Sequence, residues 1–105
     1  MTLQGKKLGV LLSTRPEAAN FRHGLHLAEA ALDAQVTVYL YCIDDAVNGV
    51  ADARLQALQT RGLKLFACAY GAQRRSIPLA DAATYAGLSV LSDLIAGTDR
   101  FVSFN

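Results

Sequence analysis

The hydrophobic positions alternate between short unbroken runs and longer stripes. Leu8–Leu12 (LGVLL) is a continuous apolar run of strand length, the pattern of a strand covered on both faces. It stops at Ser13-Thr14-Arg15-Pro16, a hydroxyl-rich turn whose proline suits the first turn of a helix. From Glu17 to Ala34 the period changes. Phe21, Leu25, Ala28 and Leu32 then form one apolar stripe at helical spacing. Val36–Ile43 (VTVYLYCI) is β-branched and aromatic and predicts a second strand. Asp44-Asp45 and Asn48-Gly49 punctuate a loop. Val50–Arg61 predicts a second helix, with Ala51, Leu55 and Leu58 inward and Gly62 as its left-handed cap.

The third strand, Leu63–Ala67, follows at once and delivers Cys68. Ala69–Arg75 predicts a short helix or turn closed by Pro78. Asp81 reads as a helix cap, and Ala82–Ala96 as one helix, or two broken near Gly87, ended by Gly97. Arg100–Phe104 (RFVSF) predicts a last strand. Residues 1–7 are a short polar lead-in.

The resulting β-α-β-α-β-α-β order predicts an α/β fold, an open parallel sheet with helices on both faces. Right-handed crossovers leave few strand orders, of which the flavodoxin-like 2-1-3-4 is the expectation. That order puts the topological switch between strands 1 and 3, with Ser13, Thr14 and Cys68 facing one crevice at the sheet's C-terminal edge.

Composition changes this picture little. At 105 residues the chain is expected to be a single domain, 1–105. Hydrophobic residues make up 52 % and the mean hydropathy is +0.24, rich enough to predict apolar surface shared between subunits. The net charge of +1 provides no field for direct nucleic-acid binding. Apolar stretches stop well short of the ~20 residues a membrane helix needs. Two cysteines without metal spacing or a signal peptide predict a cytoplasmic protein with reduced thiols.

The chemistry is concentrated in Leu63–Ile77 (LKLFACAYGAQRRSI). A thiol reacts as its thiolate, and a free cysteine near ~8.5 is mostly protonated at neutral pH unless a helix N-terminus or nearby cations intervene. Cys68 has both in prospect: a helical turn behind it, and Arg74 and Arg75 six and seven residues on. Tyr70 stands beside the thiol as a cover. The alternative is that Cys68 only fills space, as buried cysteines often do. Cys42 reads as a small core residue. In the expected strand order it lies about two strand spacings from Cys68, roughly 9.5 Å. That is beyond the ~7 Å reach of a disulfide.

His23 and His26 share a helix face but lack a third metal ligand. Asp44 and Asp45 read as turn chemistry. Tyr39 and Tyr41 read as strand packing. Ser13 and Thr14 offer hydroxyls at a helix start, without the glycines of a phosphate cradle. No cofactor motif is present, which disfavours a flavodoxin-like cofactor binder.

The segment Cys68-Ala69-Tyr70-Gly71-Ala72-Gln73-Arg74-Arg75 resembles the cysteine loop of the DsrE/DsrF-like sulfur-relay family, in particular its TusD-type subunits. Leu25–Leu32 (LHLAEAAL) is similar to that family's first helix, and Thr98–Phe104 (TDRFVSF) to its closing strand. The resemblance implies a YchN-like fold and homotrimers, homohexamers or hetero-oligomers with paralogues. It also implies that Cys68 carries sulfur as a persulfide between donor and acceptor proteins. Two departures stand out. Ser76 follows the arginine pair where relay members commonly have glycine, and Ala46 stands between Asp45 and Val47 where glycine is expected.

Together these readings predict a sulfur-transfer protein without metal or organic cofactor. Cys68 would be its reactive group, with Arg74, Arg75, Ser13, Thr14 and Tyr70 stabilising sulfur or docking the partner. The competing reading is a non-catalytic oligomeric binding or regulatory subunit, whose crevice holds a small anion or a partner.

Overall fold

The computed structural model describes residues 2–105; Met1, at the start of the polar lead-in, lies outside the described residues. The elements run β1 (Lys7–Leu12), α1 (Ala19–Asp33), β2 (Thr37–Cys42), a 3₁₀ turn (Asp44–Gly49), α2 (Ala53–Thr60) and β3 (Lys64–Cys68). They continue with α3 (Ala69–Arg74), β4 (Thr84–Ala86), α4 (Leu88–Gly97) and β5 (Arg100–Phe104). The α/β class and the all-parallel sheet are as expected, with every strand pairing parallel.

The strand order is β4-β3-β2-β1-β5. The expected order placed the first strand between the second and third; instead β2 lies between β1 and β3. Successive strands here simply pair with their predecessors, the commonest outcome of short crossovers. The chain then returns through α4 to add β5 on the free side of β1. The direction of winding therefore reverses between β1 and β5, not between β1 and the strand bearing Cys68.

Strand alternation sets the two faces. Val10 and Leu12 of β1, Val38, Leu40 and Cys42 of β2, and Leu65 and Ala67 of β3 share one face by register, and all are buried. Phe21, Leu25 and Ala28 of α1, with Leu55 and Leu58 of α2, complete that core, while Leu32 at the end of the stripe is half-buried. The helix approaches closely at Gly24, where a Cβ would lie 2.4 Å from the Leu12 side chain.

The other face carries Leu11, Tyr41, Phe66 and Cys68, flanked by α4. None of the residues of α4 is fully buried, although most are apolar. Leu88 and Ile95 are largely exposed.

Boundaries moved for local reasons. α2 begins after Asp52, whose carboxylate accepts from the Arg54 amide at 2.9 Å, so Ala51 is an exposed residue ahead of the helix. Gly62 takes φ +113 as expected for a left-handed cap. The acidic and Asn-Gly loop after β2 closes into the 3₁₀ turn, where Ala46 is fully buried. Most instructive is Thr84–Ala86, predicted helical but paired as the edge strand β4 with Phe66, Ala67 and Cys68. Alanine-rich sequence favours a helix there only weakly, and three ladder positions against β3 override it.

A thiol at the end of the third strand

Cys68 closes β3 and caps α3. Its backbone is extended (φ −67°, ψ 115°), and its Sγ accepts a hydrogen bond from the Gly71 amide at 3.3 Å. The thiol is 6 % exposed and is reached through a cleft of about 550 Å³. Ile43, Asp44, Tyr70, Gly71, Arg74, Arg75 and Leu88 line that cleft with it.

The two arginines behave differently. Arg75 is half-buried and held in place, donating to the Gly71 carbonyl at 3.3 Å and to Asp45 Oδ1 at 3.1 Å. A Cβ on Gly71 would lie 3.3 Å from Val47 and 3.6 Å from Arg75 Nη1, so glycine lets the guanidinium and the 3₁₀ turn close over the start of α3. Arg74 points outward and lies over the ring of Tyr70, 5.8 Å from its centroid, a cation–π contact that leaves the tyrosine 66 % exposed at the cleft.

Ser13 and Thr14 are elsewhere. With β2 interposed, the turn after β1 faces β5, and Ser13 Oγ donates to Asn105 Oδ1 at 3.0 Å. Thr14 Oγ1, in the same turn, is buried without a hydrogen-bond partner among the described residues. The expected convergence of this turn with Cys68 fails because it depended on β1 and β3 being neighbours. The same correction changes the argument about Cys42. It sits on the strand next to Cys68, in register with Ala67, so distance does not separate the two sulfurs. The pleat does: Cys42 faces α1, Cys68 faces the opposite side, and both are free thiols. Burial pushes the Cys42 thiol up to about 12, so it stays protonated at neutral pH.

His23 pairs with Asn20 on an exposed helix face. Among the described residues no group of three His, Cys, Asp or Glu side chains could hold a metal ion, and no helix is long and apolar enough to cross a membrane.

Besides the cleft-lining Ile43, Asp44 and Leu88, two residues gained a place at the site that their sequence context did not give them. Asp45 anchors Arg75. Tyr41, fully buried on β2, reaches over β3 and donates its hydroxyl to the Ala86 carbonyl at 3.0 Å. The signal for Tyr41 was its strand parity, opposite to Cys42, which matters only once β2 and β3 are adjacent.

The serine after the arginine pair is also explained. Ser76 has φ +55, and α3 ends with bonds from Ser76 N to Gln73 O (3.2 Å) and Ile77 N to Ala72 O (2.9 Å), a Schellman ending. The turn needs a left-handed residue whatever its side chain. Removing the Cβ strain, less the extra chain entropy of glycine, should make Ser76→Gly more stable by about 0.5–1 kcal/mol. Thermal unfolding should register a rise of a few degrees; an unchanged or lower midpoint would refute the strain.

Comparison with known proteins agrees with this architecture. The sequence signature of the DsrE/DsrF-like family matches residues 6–104. The crystal structure of the YchN protein from E. coli superposes with a TM-score of 0.80 at 18 % identity, covering 96 % of this chain and 100 % of that one. No curated relative matches the chain.

Proposed function

Since the chain belongs to the DsrE/DsrF-like family, whose members are generally sulfur-relay proteins that associate with one another and oligomerise, we propose that it is a cytoplasmic sulfur-transfer protein carrying sulfane sulfur on Cys68. One observation carries the reading: the Cys68 sulfur lies at the floor of an open cleft, accepts an amide N–H at a helix start, and has two guanidinium groups on the cleft wall. A sulfur anion would be held there by fixed donors rather than by water.

The chemistry needs no oxidant. The Cys68 thiolate attacks the terminal sulfur of a donor persulfide, R–S–SH. A new S–S bond forms on Cys68, the donor's S–S bond breaks, and the donor leaves as R–S⁻. An acceptor thiolate then attacks the terminal sulfur of Cys68–S–SH, which restores the Cys68 thiolate. Exchange of this kind depends on the attacking thiolate, the leaving group and access. Arg75, fixed by Asp45 and the Gly71 carbonyl, is the group suited to hold the anionic sulfur. Arg74 and Tyr70, exposed at the rim with Leu88, suit docking of the donor or acceptor. Ser13 and Thr14 have no part in this site. The exposed apolar residues Leu88 and Ile95 of α4, and Leu79 in the loop before β4, support assembly as a homotrimer or homohexamer, or with paralogues.

The near-burial of Cys68 favours one competing reading, a binding or regulatory subunit in which the thiol is packing. The two separate by mass. After incubation with a low-molecular-weight persulfide, the intact protein should gain about 32 Da, one sulfur atom, mapped to Cys68. A protein that takes up no sulfur while folded, and exposes Cys68 to thiol reagents only on unfolding, would be the binding subunit.

A further inference from the structure

We infer that Tyr41 is a second hydrogen-bond donor to the Cys68 sulfur, its single O–H turning from the Ala86 carbonyl to Sγ when that sulfur is anionic. This rests on the reading of Cys68 as the reactive thiol.

The register supplies the geometry. Tyr41 pairs with Phe66 on β3, and Cys68 is two residues further along the same face. The Cα partner of Cys68 on β4 is Ala86. To reach the Ala86 carbonyl at 3.0 Å, the Tyr41 side chain must cross β3 toward its C-terminal end, the end that carries Cys68. Burial first, and the neighbouring Cys68 second, push the Tyr41 hydroxyl up to about 12, so the phenol stays protonated, and a donor, at neutral pH. Its O–H is committed to a neutral carbonyl in this structure, and a sulfur anion is the stronger acceptor. A hydroxyl rotates about its C–O bond at little cost, so the exchange needs no backbone movement.

Other charged and titratable groups line the cleft with the sulfur: Asp44 from the 3₁₀ turn, Arg74 at the end of α3 and Arg75 just after it, with Asp45 behind Arg75 and Tyr70 at the rim. All of these act from the solvent side. Tyr41, fully buried on β2, approaches from the protein side. It lets the anion lose water on one side while keeping a donor on the other.

The test is the pH–rate profile of Cys68 alkylation by iodoacetamide in the folded protein, followed by peptide mapping, with Tyr41→Phe against wild type. Loss of a hydrogen bond to a charged acceptor removes about tenfold of the thiolate at neutral pH. The remaining thiolate becomes about threefold more nucleophilic, since reactivity rises with basicity at a slope of about 0.4–0.5. The two profiles should therefore cross. Tyr41→Phe is expected to react about threefold more slowly at pH 7 and about threefold faster on the alkaline plateau. Profiles that coincide, or that differ by one factor at every pH, overturn the inference, because altered packing or access scales all rates alike. Wild-type Cys68 that resists alkylation while folded would instead overturn the sulfur-transfer reading itself. Should Tyr41→Phe fail to fold, 3-fluorotyrosine placed at position 41 makes a more acidic donor and must shift the crossing profiles in the opposite sense; no shift overturns the inference.

Discussion

Replacing the thiol by a hydroxyl, Cys68→Ser, is expected to abolish uptake of sulfane sulfur while leaving the protein folded and its assembly unchanged. The side chain caps α3 in this structure and is the nucleophile of the proposed transfer, and serine keeps only the first role. As a cap, it accepts from the Gly71 amide, and serine is among the preferred residues for that role. The stability change should therefore stay within about 1 kcal/mol. As a nucleophile it has no substitute, because a serine hydroxyl forms no persulfide. Intact mass after treatment with a small persulfide should show one added sulfur on the wild type and none on the variant. A variant that still gains sulfur would place the carrier elsewhere, and one that fails to fold would make Cys68 a structural residue.

Leu25→Ala is expected to destabilise the fold strongly, as a truncation in the buried part of the α1 stripe. Leu25 is 4 % exposed and stands between Phe21 and Ala28, both fully buried against the β1–β2 face of the sheet. Removing its isobutyl group loses burial and leaves a cavity that the rigid strands below cannot close, at a cost of about 2–5 kcal/mol. In a domain of this size that corresponds to a fall in Tm of roughly 10–30 °C. The half-buried Leu32, one turn past Ala28, should lose markedly less in the same substitution. Equal losses at the two positions, or an unchanged Tm for Leu25→Ala, would refute the assignment of the stripe. Since α1 packs on the face opposite Cys68, alkylation of the folded fraction should not change.

How far the sequence reached depends on which scale of information was needed. Local pattern was enough for β1, α1, β2, β3 and β5, because each has an unbroken run or a clear stripe. It was also enough to place Cys68 at a strand end ahead of a helical turn with two arginines. Neighbour relations were not legible. A strand's sequence says that both faces are covered, but not which strand lies beside it, so β1 was set next to β3 and Ser13 and Thr14 were drawn into the site. β4 was missed for the same reason. Thr84-Tyr85-Ala86 is a strand only because β3 offers an open edge. Tyr41 shows the functional consequence of that gap, since its parity was readable but its neighbour was not. The left-handed turn at Ser76 was equally hidden, as serine carries no sign of positive φ.

The back-to-back placement of the two cysteines across the pleat governs what bonds the reactive sulfur can make. With Cys42 facing α1 and the only other thiol of the chain, Cys68 has no resolving partner within its own subunit. On the proposed reading, a sulfur-loaded Cys68 would therefore be discharged by a thiol arriving from another molecule. The protein is thereby a one-port device. If it carries sulfur as proposed, the cargo could not be lost to an internal disulfide, and turnover would be set by visitors to the cleft.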